Sequence, residues 1–139
     1  MPRLLLVEDE ELHGELVRQV FLRPPPWEVA WVPDGGEALD FLYRRGKHAA
    51  TWTPDLILLN VRLPKVTGLE VLKQVKADPQ LRSIPVVIWT VSTSQETIES
   101  AYGNGAAIYL SKPYSLHELE RQLLALRRLL DLARFPPPP

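Results

Sequence analysis

The sequence predicts an α/β protein built on one parallel sheet covered by helices on both faces. Three observations carry this. Strand-like and helix-like segments alternate five times along the chain. Two of the strand-like runs, residues 4–7 and Leu56–Leu59, are apolar throughout, as strands buried on both faces must be. The length of 139 residues fits one domain with a core of its own.

The elements follow in order. Residues 4–7 form the first strand. Leu12, Leu16, Val20 and Phe21 then recur at helical spacing, and the run Pro24, Pro25 and Pro26 must break that helix. Residues 27–32 read as a second strand. Asp34 with Glu37 reads as an N-cap and its reciprocal partner, opening a helix whose apolar residues are Ala38, Leu39, Phe41 and Leu42. The third strand, Leu56–Leu59, ends at Asn60. Gly68 precedes a helix with Leu69, Leu72 and Val75, stopped near Asp78 and Pro79. Residues 85–90 form the fourth strand. Thr93 and Glu96 pair as a capping box for a helix ending around Gly103 or Gly105. Residues 108–110 form a short fifth strand. Ser115 and Glu118 cap a last helix running to about Leu132.

Five such units with right-handed crossovers leave few topologies. The expected one is the doubly wound, flavodoxin-like order 2-1-3-4-5 with five helices. The domain spans residues 1–134, and residues 135–139 form a proline-rich tail, expected to be an extended stub without structure.

Composition narrows the function classes. The formal net charge of −1 gives no global attraction to nucleic acid or anionic membrane. With no cysteine, thiolate catalysis, disulfides and Cys-ligated zinc are excluded. No apolar run approaches the roughly 20 residues needed to span a bilayer, and Glu8, Asp9, Glu10 and Glu11 interrupt the N-terminal apolar run too early for a signal peptide. The chain is expected to be soluble and cytoplasmic.

In a doubly wound sheet, the carboxyl ends of the strands share one edge, where ligands bind. Four features fall on it: Glu8 and Asp9 after the first strand, Asn60 after the third, Thr90 ending the fourth, and Lys112 after the fifth. Each has a plain reading. The acids suit a helix N-terminus, Thr90 is a strand former, and Lys112 is a surface lysine whose bond to Pro113 can be cis. Each also has a chemical one. The carboxylates offer oxygens to a hard cation such as Mg2+, and Thr90 and Lys112 offer a hydroxyl and a cation to an anion. The acidic first turn argues against a flavin or nucleotide phosphate, which wants glycines and free backbone N–H groups there.

The pieces LLLVEDEE, PDLILLNVRLPKVTGLEVLKQVK, IPVVIWTVST and GAAIYLSKPYSLHEL resemble response-regulator receiver domains of two-component phosphorelay systems, over residues 4 to about 130. The second and third pieces are most similar to small, stand-alone regulators paired with phytochrome-type histidine kinases. The resemblance implies that Glu8, Asp9 and position 60 hold Mg2+, that Thr90 and Lys112 contact a phosphoryl group, and that Tyr109 is an aromatic switch. Pro64 and Gly68 match the loop after the acceptor strand. It also implies a sensor kinase as partner and no catalytic residues of an enzyme.

One position departs from the pattern. Such receivers take phosphate on an aspartate, and here the residue is Asn60. An amide is neutral and a poor nucleophile, so phosphoryl transfer is not expected and Mg2+ should bind weakly. The leading expectation is a receiver that is not phosphorylated and acts by protein–protein contact. A working phosphorelay receiver whose acceptor aspartate was deliberately changed is a second reading, and a flavodoxin-like small-molecule binder a third. With residues 4 to about 130 taken up by the receiver pattern and a net charge that is not basic, a DNA-binding output is not expected.

The remaining candidates carry less. His13, His48 and His117 share no ligand spacing and are read as structural or surface residues, and Trp27, Trp31, Trp52 and Trp89 as packing residues. Leu116, Leu119, Leu123, Leu126 and Leu130 form a stripe on the last helix, widened by Leu124, Leu129 and Leu132. The excess predicts a homodimer through the last-helix face, with Leu126 and Leu130 as contact residues if exposed.

Overall fold

The computed structural model describes residues 1–137. Its elements run β1 (Arg3–Val7), α1 (Glu11–Phe21), β2 (Glu28–Val32), α2 (Gly35–Tyr43), β3 (Leu56–Leu59), α3 (Gly68–Ala77), β4 (Val86–Thr90), α4 (Gln95–Gly103), β5 (Ile108–Ser111) and α5 (Leu116–Leu132), with a short 3-10 turn at Gly46–His48. All strand pairs are parallel, in the order β2-β1-β3-β4-β5. The expected topology is therefore the observed one.

The period-2 alternation of strand side chains divides the core into two layers. Leu5, Val7, Ile57, Leu59, Val86 and Ile88 face α2, α3 and Ala101 of α4. Leu4, Leu6, Leu56, Leu58, Val87 and Trp89 face α1 and α5. β3 is buried along its whole length, which is why its sequence is unbroken Leu and Ile. Each of these side chains, fully buried, contributes about 1.5–3 kcal/mol relative to exposure.

The helix ends largely follow the sequence. Asp34 Oδ1 accepts from the Glu37 N–H at 2.8 Å, and Ser115 Oγ from the Glu118 N–H at 3.0 Å. Two details differ. The Glu37 carboxylate does not close a reciprocal capping box; it pairs with Lys47 at 2.7 Å and His48 at 3.2 Å. The cap of α4 is Ser94, accepting from Thr97 N–H at 3.4 Å, one residue later than the Thr93 expectation. Three adjacent hydroxyl residues at 92–94 make the register ambiguous by sequence.

The buried face of α1 is also different. Gly14, Val17, Val20 and Phe21 are buried, Leu16 is half-buried and Leu12 is 60% exposed. Gly14 sets this rotation. A Cβ there would fall 2.0 Å from Cζ2 of Trp31, so the indole lies directly on the helix backbone. The bond before Pro113, open to either isomer by sequence, is not the cis one. Among the described residues the cis bond is Pro24–Pro25, and Lys112–Pro113 is trans.

The end of α1 and the triple-proline turn are held from α5. The Arg127 guanidinium, 7% exposed, donates to the carbonyls of Val20, Phe21, Arg23 and Pro25 and pairs with Asp131. Trp27 Nε1 donates to the same Asp131 at 3.0 Å. The proline tail begins docked rather than free: Phe135 packs edge-on against Trp27, with ring centroids 5.9 Å apart. Pro136 and Pro137 line a cavity with Met1, Arg3 and Pro85. Pro138 and Pro139 lie outside the described residues.

Candidate functional site at the carboxyl edge of the sheet

Sheet hydrogen bonding continues one residue past β1, β3 and β5 and so places the rim. Glu8 N–H donates to Val32 O, Asn60 N–H to Val7 O, and Lys112 N–H to Thr90 O. Parallel pairing brings together residues separated by 52 and 104 positions in sequence.

Glu8 is the hub. It is fully buried. Its Oε1 accepts from Lys112 Nζ at 2.7 Å, and its Oε2 accepts from Asn60 Nδ2 at 3.0 Å and from the Glu10 N–H at 3.1 Å. The side chains of Lys112 and Glu8 are 1% and 0% exposed, so this ion pair is desolvated on both sides. Such a pair persists only when its remaining valences are met, and here they are. Lys112 Nζ lies 4.4 Å from the ring centroid of Trp89 and 2.9 Å from His13 Nδ1. Trp89 is held in turn by Gln122, which accepts from Nε1 at 2.9 Å.

Asn60 is 7% exposed. Its amide nitrogen points to Glu8 and, at 3.4 Å, to Asp9 Oδ1. The opposite orientation would turn a carbonyl oxygen toward two carboxylates, so electrostatics selects the donor side. Thr90 is also fully buried, and its Oγ1 has no hydrogen-bond partner among the described residues. Asp9, Asn60, Arg62, Thr90 and Lys112 line one cavity of about 180 Å3. Tyr109, on β5, is half-buried, its hydroxyl donating to Ser92 O at 2.9 Å. Of the residues expected from the sequence, Asp9, Asn60, Thr90 and Lys112 line this cavity, and Glu8 is bonded to Asn60 and Lys112.

His13 was not expected there. Its Nδ1 faces Lys112 and also Glu10 Oε2, each at 2.9 Å. The usable signal was its position, one helical turn beyond Asp9. Arg62, which lines the cavity, was missed because loop arginines carry no pattern.

The geometry defines a two-component receiver, and the chain belongs to that family: the response regulator receiver domain profile matches residues 4–124. The chain is 43% identical over 119 residues to a probable methanogenesis regulatory protein, FilR2, of Methanothrix harundinacea, covering 85% of this chain and 76% of that one. It is 36% identical over 117 residues to the response regulator Rcp1 of Synechocystis, covering 84% and 80%. The Mn2+-bound crystal structure of Rcp1 superimposes with a TM-score of 0.95 over 99% of this chain and all of that one, at 32% identity. The phosphorylated cyanobacterial phytochrome response regulator RcpA superimposes with a TM-score of 0.94 at 34% identity, covering 98% and 99%.

A divalent cation fits this rim poorly as it is arranged. Both Glu8 oxygens are already hydrogen-bonded, Asn60 offers N–H rather than oxygen, and the described residues hold no group of three acidic, His or Cys side chains able to take a metal. Also among the described residues, no helix is long and apolar enough to cross a membrane.

Proposed function

We propose that this chain is a pseudo-receiver: a cytoplasmic two-component signalling module that does not take a phosphoryl group at Asn60 and works through protein–protein contact. The observation that carries this is the Asn60 amide, donating to Glu8 and Asp9 where a phosphate-accepting carboxylate is required. An amide supplies no attacking oxygen anion, and it cancels acceptor capacity that a cation would use. Thr90 and Lys112 keep their places as phosphoryl contacts and Tyr109 as the switch aromatic. Glu8, Asp9 and Asn60 hold Mg2+ only weakly. The likeness to RcpA, a phytochrome response regulator, supports a phytochrome-type histidine kinase as partner.

The test compares the unaltered chain with Asn60→Asp, each treated with a small phosphodonor and Mg2+ and read by intact mass. The unaltered chain should gain nothing. The Asn60→Asp protein should gain one base-labile phosphoryl group and bind Mg2+ at least about tenfold more tightly, as expected for an added carboxylate ligand. Phosphorylation of the unaltered chain would overturn the reading. An inert Asn60→Asp protein would show that the retained rim residues are structural only.

The second partner proposed is another copy of the chain. Leu126 and Leu130, expected as contact residues, are only 5% and 7% exposed and belong to the core beneath α5. The exposed leucines of α5 are Leu116 at 50%, Leu129 at 56% and Leu132 at 81%, the last two three residues apart on one helix face. Covering such a patch is the usual reason for it. Light scattering should give twice the 15.8 kDa chain mass, and Leu129→Glu with Leu132→Glu should give the monomer. A monomeric unaltered chain at high concentration would remove the dimer from the proposal.

A further inference from the structure

Of the lysines away from the rim, Lys76 alone is half-buried, whereas Lys47, Lys65 and Lys73 are exposed. Lys76 lies on α3, and its Nζ donates to the carbonyls of Arg82 at 2.9 Å and Ile84 at 2.7 Å, in the loop before β4. Its stem runs over Gly105 in the turn between α4 and β5. A Cβ at Gly105 would fall 3.0 Å from Lys76 Cγ and 3.3 Å from Cδ. The side chain is thus fixed from three segments of the chain. The two acceptors suit an uncharged amine. A neutral –NH2 has one hydrogen for each carbonyl, and its lone pair is directed away from both. The third hydrogen of an ammonium finds no protein acceptor among the described residues. Among those residues Lys76 also forms no ion pair, and burial alone perturbs the amine, holding its pKa below the ordinary lysine value. Burial without a counter-ion favours the uncharged form, and lysine is a nucleophile in that form.

We propose that Lys76 is an acyl-acceptor site, modified by small acyl phosphates at Nζ. The lone pair on Nζ attacks the carbonyl carbon of the acyl phosphate and forms the new C–N bond. The bond from that carbon to the phosphate oxygen breaks, and phosphate leaves with the electron pair. The surplus proton on nitrogen passes to the released phosphate. The products are an acylated lysine and inorganic phosphate, with nothing oxidised or reduced. The acylated nitrogen keeps a single N–H, so one of the Arg82 and Ile84 carbonyls loses its donor. The modification therefore loosens the loop that leads into β4, the strand that ends at Thr90. Neither Asn60 nor any other rim residue takes part, so the inference stands apart from the pseudo-receiver reading.

The test treats the full chain with acetyl phosphate and follows intact mass, with each added acetyl group read as a gain of about 42 Da. Digestion with a protease that cuts at acidic residues then gives the acetylation rate lysine by lysine. Lys76 should react at least about tenfold faster than Lys47, Lys65 and Lys73, which share the solution but lack the burial. Amide exchange at residues 82–84 should quicken in the singly acetylated protein. Lys76→Arg, which keeps a charge and donors for the two carbonyls, should lose the fast phase and leave only the slow one. The decisive comparison is made within the unaltered chain, so it holds even if the variant is unstable. Acetyl groups spread evenly over the four lysines would overturn the proposal, as would a rate at Lys76 below that at Lys73. Neither result bears on whether Asn60→Asp accepts phosphate.

Discussion

An Arg127→Met variant is expected to lose about 3–5 kcal/mol of folding stability, the scale for several buried carbonyls that lose a charged donor at about 1–3 kcal/mol each. The guanidinium meets four carbonyls of the α1 end and the triple-proline turn, of which Phe21 O also accepts from the Trp27 N–H at 2.9 Å. The guanidinium carbon also lies 5.8 Å from the Phe21 ring centroid, so the variant loses this cation–π contact together with the hydrogen bonds. Arg127→Lys should recover little, because an ammonium cannot reach the same carbonyls as a planar fork. Urea unfolding with an unchanged slope is the measurement. A loss under about 1 kcal/mol would mean that water satisfies those carbonyls. The pair also has an acid dependence. Burial raises the Asp131 carboxyl, but hydrogen bonds from Trp27 and Arg127 and the Arg127 charge outweigh it, and the net shift is downward. A lowered folded-state value means stability that is present above the unfolded carboxylate range and is lost as pH falls through the folded value. Asp131 is 43% exposed, so solvent screening keeps this contribution small.

Gly68→Ala is expected to cost at least about 3 kcal/mol, at the upper end for over-packing. A Cβ at that position would lie 2.0 Å from the backbone oxygen of Asn60 and 2.8 Å from its carbon and from Val61 Cα. Backbone cannot yield as a side-chain tip can. Either α3 must lift from the sheet or the end of β3 must move, and the second displaces Asn60 from Glu8. The same unfolding measurement applies, with amide exchange at residues 60–70 reporting the displacement. Wild-type stability with unchanged exchange would show that α3 has slack the packing does not suggest.

The sequence was most readable where one physical demand acts alone. The uninterrupted Leu56–Leu59 run can only be a strand covered on both faces, and it fixes the centre of the sheet. The rim was readable because a parallel sheet collects its strand ends whatever their separation in sequence. The rotation of α1 was not, because it follows from the missing side chain of Gly14 under Trp31, and counting apolar residues is blind to a contact made by an absence. The role of α5 was half-readable. Its leucine stripe was evident, but Leu126 and Leu130 could not be assigned to the core before α1 was placed beside them. The hydrogen-bonding direction of Asn60 and the approach of His13 to Lys112 depend on side-chain orientation, which sequence spacing does not encode.

The docked tail has a practical corollary. Met1, Arg3, Pro136 and Pro137 border one cavity beneath the amino ends of the strands, so both ends of the described chain emerge together on the side away from the rim. A fluorescent reporter or tether grafted at either end would project from that pole and leave the opposite one unobstructed. A short linker between the ends should also allow new termini to be opened elsewhere, for example at the exposed turn near Gly46, as adjacent surface termini generally permit.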